Sequence, residues 1–261
     1  RCYGPHINAT AARAMRDVSK SPVFLSLHNR PDAPPEGLSF PDRIRDIALS
    51  VLARRELRAA DLVFAVYQSQ LPYLRKIGVD KVELAYNVLN PGNLKVKEHY
   101  SSGSPVRVLS VGRMIPGKNP ENLIRAIRDV DSVELTLIGD GPLRGQLEEL
   151  SSSLGLDNKV RFVRAMDNNH LCRVLPDYDI FAAHNDYPGI PKAVMEPLLA
   201  GLPVILNHPK KELVPELSTD ICLLVENSRE GYAGGLRKLV SDSSLRRDLG
   251  KSAKAFSHKT W

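Results

Sequence analysis

The sequence predicts an α/β fold built from doubly wound parallel sheets, in two domains of which the first is incomplete. Three observations predict it. Short β-branched runs alternate with stretches of helical periodicity along the whole chain. The uncharged stretch Ser101-Ser102-Gly103-Ser104-Pro105 interrupts that alternation with the composition of a linker. Three strand-like runs precede this stretch and six follow it, so residues 1–102 read as a partial domain and residues 103–261 as a full one. The early strands of the first domain are expected to be missing from the chain.

In the first part, Val23–His28, Leu62–Val66 and Val82–Asn87 are apolar runs bounded by turn residues and read as buried strands. Helices are expected between them at about Pro41–Ala60 and Gln68–Ile77. After the linker, strands are expected at Val106–Val111, Val133–Gly139, Val160–Val163, Ile180–Ala183, Pro203–Leu206 and Ile221–Val225. Helical periodicity fills the gaps at about Pro120–Val130, Pro142–Leu154, Asn168–Leu175, Lys192–Ala200 and Glu230–Val240, with a last helix over Ser244–Ser257.

Composition narrows the function classes. Among 261 residues, 36 Lys and Arg against 30 Asp and Glu give a net charge of +6, which fits an anionic partner. Residues 1–100 carry 15 basic and 10 acidic residues and the remainder 21 and 20, so the excess divides as +5 and +1. Aromatic residues make up 6% and form no basic platform, which argues against nucleic acid. Cys2, Cys172 and Cys222 have no metal-ligand or disulfide spacing, so no metal or cofactor is expected and a reducing, cytoplasmic setting is. No run approaches the ~18 apolar residues of a spanning helix. The helix at Pro41–Ala60 mixes five arginines (43, 45, 54, 55 and 58) with apolar residues. It reads either as a helix packed on the sheet with a charged outer face or as a peripheral contact to an anionic membrane.

Three loops carry candidate chemistry. In Gly112-Arg113-Met114-Ile115-Pro116-Gly117-Lys118, two glycines and two cations lie between a strand and a helix, the residue types that hold a diphosphate. An ordinary loop with surface cations fits equally well. Gly139-Asp140-Gly141-Pro142 departs from the dinucleotide pattern Gly-x-Gly-x-x-Gly and reads as a helix-entry turn with Pro142 at its first position. In Asp186-Tyr187-Pro188-Gly189-Ile190-Pro191-Lys192 and the helix after it, backbone amides would meet an anion, and Glu196 could accept from a diol.

Together, Gly112-Arg113 with Lys118, Gly139-Asp140-Gly141-Pro142, and Gly189-Ile190-Pro191 followed by Glu196 and Ala200-Gly201-Leu202-Pro203-Val204-Ile205 closely resemble the family-4 glycosyltransferases. These are retaining enzymes of the GT-B fold, with two Rossmann-like domains. Ser26-Leu27-His28 and Asp61-Leu62-Val63 resemble the end of that family's N-terminal domain. The resemblance implies a nucleoside-diphosphate-sugar donor, a glycan or lipid-linked acceptor, and no essential metal. By motif matching, Arg113 and Lys118 would grip the diphosphate and Glu196 the ribose. Gly112, Gly189, Ile190, Pro191 and Lys192 would line sugar and phosphate, Arg164, Ala165 and Met166 would border the base, and His28 would reach the sugar. The sequence departs from the family where a first Glu is usual: Pro188 stands there, with Asp186 as the nearest carboxylate. It departs again at Asn207-His208-Pro209-Lys210-Lys211-Glu212, where a glycine-rich turn is usual. The remaining histidines, His6, His99, His170, His184, His208 and His258, show no ligand spacing. A catalytically idle sugar-nucleotide binder is the alternative, and a GT-B epimerase or phosphorylase a more distant one.

Overall fold

The computed structural model describes residues 11, 14–18, 22–28, 40–87, 89, 91–101, 103–187, 189–208 and 214–261. Cys2, His6, Pro188, Lys210 and Lys211 lie outside the described residues, as do the side chains of Arg43 and Arg45. Contacts divide the chain into one unit of Arg1–Asn87 with Val214–Glu216, and a second of Val88–Leu213 with Leu217–Trp261.

In the first unit, β1 (Phe24–Leu27), β2 (Leu62–Ala65) and β3 (Val82–Leu84) form a parallel sheet in that order. Helix α1 (Phe40–Ala59) and the short α2 (Leu71–Lys76) connect them. The expected helix at Gln68–Ile77 begins instead with a 3₁₀ turn at Gln68–Gln70. There the Gln70 side chain turns back and accepts from the Val66 amide at 2.8 Å, fixing the strand exit before the helix starts. Leu27, Leu57, Val63, Tyr73, Leu74 and Val79 build the core. Ala53 and Leu57 of α1 are buried, whereas Phe40, Ile44, Ile47 and Val51 are 77%, 55%, 65% and 61% exposed. Their spacing of four, three and four residues puts them on one side of the helix. The outer face of α1, expected to be charged, therefore carries an apolar stripe.

The second unit is a six-stranded parallel sheet. Its strands are β4 (Val106–Val111), β5 (Val133–Ile138), β6 (Val160–Val163), β7 (Ile180–Ala183), β8 (Val204–Asn207) and β9 (Leu223–Val225). They lie in the order β6-β5-β4-β7-β8-β9. The helices are α3 (Glu121–Ile127), α4 (Arg144–Ser153), α5 (Asn168–Val174), α6 (Lys192–Ala200), α7 (Arg229–Ser241) and α8 (Ser243–Thr260). Central strands in such a sheet are covered on both faces and need apolar residues at successive positions. Accordingly, Ile180, Phe181 and Ala182 are all fully buried, as are Val108 and Leu109. Strand β9 starts at Leu223 rather than Ile221, because the Ile221 and Cys222 amides are turned to the Ser218 carbonyl, each at 3.1 Å.

Helix α6 ends where the sequence turns to Gly201-Leu202-Pro203. Gly201 takes φ +80°, and the amides of Gly201 and Leu202 return to the carbonyls of Leu198 and Pro197. This paired closure satisfies the last carbonyls and aims the chain into β8.

The division between units falls earlier in the chain than the 102/103 boundary expected from the linker, because the segment before it is strapped to the second unit. Lys97 donates through its backbone to Ala200 and through its ammonium to the Pro176 and Tyr178 carbonyls at 3.0 and 2.7 Å. Tyr100 donates its hydroxyl to the Gly201 carbonyl at 2.8 Å. The buried Arg246 of α8 donates to the Tyr100 carbonyl at 2.9 Å and to the carbonyls of Leu239 and Val240. Replacing Arg246 with Leu strands these buried acceptors and should lower stability by about 3 kcal/mol in equilibrium urea unfolding.

Candidate functional site

The sheet order reverses direction between β4 and β7. These strands are neighbours, paired at Val108–Ile180 and Leu109–Phe181. After β4 the chain moves toward β5, and after β7 toward β8. Their following loops therefore part, and open α/β sheets bind ligands in the crevice this leaves at the strands' carboxyl ends. A hollow lies there, lined in part by Gly112, Met114, Lys118, His184, Asn185 and Pro191.

Its floor is backbone packed on backbone. Gly112 donates to the Ile138 carbonyl at 3.0 Å, and Met114 to the Asp140 carbonyl at 2.9 Å. A Cβ at Gly139 would sit 1.9 Å from the Gly112 carbonyl oxygen, and one at Gly141 2.4 Å from that of Met114. Both glycines have strongly positive φ. The Gly139-Asp140-Gly141 motif is thus needed so that two loops can touch. Helix α4 begins at Arg144, so Pro142 lies in the turn before it and not at its first position. Instead Arg144 braces the loop by donating to the Gly139 carbonyl at 2.9 Å.

Lys118 and Arg113 supply the charge. Arg113 is exposed and Lys118 half-buried. Burial first, and then the nearby Arg113 guanidinium, hold the Lys118 amine below the usual lysine range. Among the described residues, neither cation has a carboxylate within ion-pair distance. The Tyr187 ring covers this turn, its centroid 5.9 Å from Lys118 Nζ, and it occupies the space a Cβ on Gly117 would take. The Asp186 amide donates to the Gly117 carbonyl at 3.0 Å.

Beyond Lys118, the Asn119 amide donates to Nδ1 of the buried His184 at 2.9 Å. His184 Nε2 lies 2.9 Å from Asp186 Oδ1 and 3.1 Å from the Asn227 amide nitrogen. Asn207 donates to the same Asp186 oxygen at 3.2 Å. The Asp186 carboxylate is thus turned inward. His184 is a residue that spacing rules passed over. Its one sequence signal was its place immediately after the fully apolar β7.

The start of α6 completes the hollow. Asn185 holds the preceding loop by donating to the Tyr187 and Gly189 carbonyls at 2.9 and 3.3 Å. Gly189 and Ile190 are buried and Pro191 caps the helix. Val194 and Met195 return to the Pro191 carbonyl, leaving the Lys192 and Ala193 amides without an intrahelical acceptor.

Glu196 lines a neighbouring hollow with Asn93, Asn168, Cys172, Lys192 and Leu199. Its Oε1 accepts from Asn168 at 2.8 Å and faces Lys192 Nζ at 3.5 Å, while Lys192 also donates to Asn168 Oδ1 at 3.2 Å. Arg164, Ala165 and Met166 follow β6, and Arg164 lies 3.4 Å from Asp140 Oδ2, which ties this loop to the Gly139 turn. His28 belongs to the first unit, exposed at the end of β1, with Nε2 3.3 Å from Ser26 Oγ. Among the described residues no group of three or more His, Cys, Asp or Glu is placed to hold a metal ion.

The family model of glycosyl transferases group 1 matches residues 94–256. The lipopolysaccharide core biosynthesis glycosyltransferase LpsD of Rhizobium meliloti is 32% identical over 143 residues, covering 54% of this chain and 41% of LpsD. The chain thus spans about two-fifths of that relative's length. Among solved structures, Anabaena HepE in complex with UDP superposes with a TM-score of 0.80 at 18% identity, over 98% of this chain and 72% of HepE. Sucrose-phosphate synthase from Thermosynechococcus elongatus matches with the same TM-score and identity, over 98% of this chain and 67% of the synthase. These likenesses show the fold: two Rossmann-like parallel-sheet units of the GT-B type.

An anion bound beside Lys118 favours its protonated form and raises its lowered pKa. Affinity for inorganic pyrophosphate should therefore fall as pH rises through the free protein's Lys118 titration, which lies below that of an ordinary lysine. Calorimetry across alkaline pH should show this slope in the native chain and lose it in Lys118→Arg, whose cation does not titrate there.

Proposed function

The chain belongs to the glycosyl transferases group 1 family, and on that premise we propose that it binds a nucleoside-diphosphate sugar and passes the sugar to an acceptor with retention, as a family-4 enzyme of the GT-B fold. One observation carries the reading. Lys118, with the Arg113 guanidinium near it and no carboxylate partner for either among the described residues, shares the hollow at the strand-order reversal with Pro191 and Ala193 at the start of α6. As the bond between the sugar's anomeric carbon and the phosphate oxygen breaks, its electron pair passes to the diphosphate. Fixed cations and amides stabilise the charge that develops there. They supply this stabilisation without a metal. The acceptor hydroxyl oxygen bonds the anomeric carbon from the face the diphosphate leaves, and its proton passes to the departing phosphate oxygen, so the configuration is preserved.

In this reading Glu196, with Asn168 and Lys192 around it, holds the ribose diol, and Arg164, Ala165 and Met166 border the base. A glycan or lipid-linked acceptor is supported by relatives such as LpsD, whose name places it in lipopolysaccharide core biosynthesis. Calorimetry with UDP and GDP tests the site. Arg113→Ala and Lys118→Ala should each weaken binding about tenfold or more, the size expected for a lost charge-assisted contact. Unchanged affinity in both variants overturns the diphosphate assignment.

The alternative is a relative that binds sugar nucleotides without turnover. It draws on the Asp186 carboxylate, which is occupied by His184 and Asn207. A panel of labelled sugar nucleotides with extracted lipids and glycans separates the two. Label in any acceptor rules out the idle reading, and binding without transfer or hydrolysis supports it.

We also propose a cytoplasmic protein that touches the inner face of an anionic membrane through α1. No helix among the described residues is long and apolar enough to cross a membrane. The apolar stripe of Phe40, Ile44, Ile47 and Val51 with the exposed Arg55 and Arg58 suits an interfacial contact. Phosphatidylglycerol vesicles should sediment the native chain, and Ile44→Glu with Ile47→Glu should abolish that. Equal sedimentation of both would remove the membrane role.

A further inference from the structure

We propose that His184 is a positioning residue that clamps the Lys118 turn in place, and that it acts in one tautomer fixed by its two neighbours. The inference rests on the diphosphate reading of the Lys118 hollow and names what keeps that hollow armed.

Lys118 has the Tyr187 ring face, its centroid 5.9 Å from Nζ, as a weak attraction and little else to favour its charge. It is half-buried, Arg113 repels it, and among the described residues no carboxylate draws it in. Something else must hold the turn. One restraint lies within it, the Lys118 amide donating to the Ile115 carbonyl at 2.8 Å. The other two reach the loop after β7, one from each side of Lys118. Before it, the Gly117 carbonyl accepts from the Asp186 amide. After it, the Asn119 amide donates to His184 Nδ1. The first is backbone to backbone and survives substitution. The second exists only because an imidazole stands at position 184.

The donor at Nδ1 fixes the protonation. A backbone amide can only donate, so His184 Nδ1 carries no proton. The proton of the neutral ring is then on Nε2, facing Asp186 Oδ1 at 2.9 Å. Asp186 cannot drift, because Asn207 donates to the same oxygen and the Asp186 amide is itself bound to Gly117. The Asn227 side-chain nitrogen lies 3.1 Å from Nε2, but Asn122 donates to the Asn227 carbonyl oxygen and so keeps that nitrogen a donor. With the proton on Nε2 it packs beside the ring without bonding to it, and Asp186 alone accepts from Nε2. Among the described residues, the charged and titratable groups around the ring and its turn are Asp186, Tyr232 within reach of the Asp186 charge, Lys118 and, beyond Lys118, Arg113. A second proton on the ring would set Nδ1–H against Asn119 N–H and open the clamp.

Two substitutions separate the contacts. His184→Asn sets a carbonyl oxygen near the Nδ1 position and can still accept from Asn119. His184→Gln reaches toward Asp186 and loses the Asn119 bond. UDP affinity in His184→Gln should fall about tenfold, while His184→Asn should stay within about threefold of the native chain. In a Lys118→Ala background the effect of His184→Gln should vanish, since a positioning residue acts through the group it positions. A readout free of ligand is the Lys118 amine titration, followed by NMR of labelled lysine side chains. It should move up toward the ordinary lysine range in His184→Gln and stay in place in His184→Asn. Equal losses in both variants, or an undiminished effect without Lys118, would overturn the proposal and leave His184 as packing only. If the native chain binds neither UDP nor GDP, the diphosphate reading falls, and the lysine titration alone decides the clamp.

Discussion

The site depends on one constraint, that two adjacent parallel strands hand the chain to opposite sides of the sheet. Strands β4 and β7 are hydrogen-bonded neighbours, yet their next strands lie on opposite flanks of them. Loops leaving such a pair cannot cover each other, so a hollow opens at the carboxyl ends whatever residues occupy it. The side chains decide its chemistry. Helix α6 enters from one side with first-turn amides that lack an intrahelical acceptor, and the Gly112–Lys118 loop crosses from the other. The glycines at 139 and 141 let that loop lie on the backbone beneath it, where any larger residue would lift the Lys118 turn away from the strands.

Charge in the hollow is local. The net excess of +6 divides evenly between the units, +3 in Arg1–Asn87 with Val214–Glu216 and +3 in the unit that contains the Lys118 turn, so it does not single out the hollow. A pair of like charges in a half-buried place is unfavourable until an anion arrives. The fold tolerates it by spending polar contacts on the backbone around the pair. Asn119, His184, Asp186, Asn207 and Asn227 form a network whose members face one another more than they face solvent. Such a network holds geometry well because each member has its position set by others.

Much of this could be read from the chain. Strands such as Val106–Val111 and Ile180–Ala183 appear at their expected bounds, because a strand covered on both faces leaves an apolar run that nothing else explains. Gly112, Lys118 and Pro191 were found by type and spacing, and they share one hollow. The rest depended on partners distant in sequence. His184 matters through Asn119, 65 positions away. The strap at Lys97 and Tyr100 depends on Arg246, which is 146 positions beyond Tyr100. Neither pairing leaves a local pattern. Helix α1 misled for another reason: its arginines and apolar residues are interleaved, so periodicity gave a helix without telling which stripe faced inward.

Helix α6 links the two hollows through its own geometry. Pro191, Ala193 and Val194 line the hollow with Lys118, whereas Lys192, Glu196 and Leu199 line the one with Asn168. The latter three are spaced four and three residues apart and so form a single stripe. One helix thus offers, at its tip, the amides proposed to hold a phosphate, and a hydrogen-bonded carboxylate one turn further along. Their separation is fixed by the helical rise and by the Gly201 closure that anchors the far end. A ligand with an anionic group joined to a diol at about that distance can engage both at once. One bearing only the anion reaches only the tip. Nucleotide selectivity over simple phosphates would then come from the length of a helix turn, a quantity that neither hollow possesses alone.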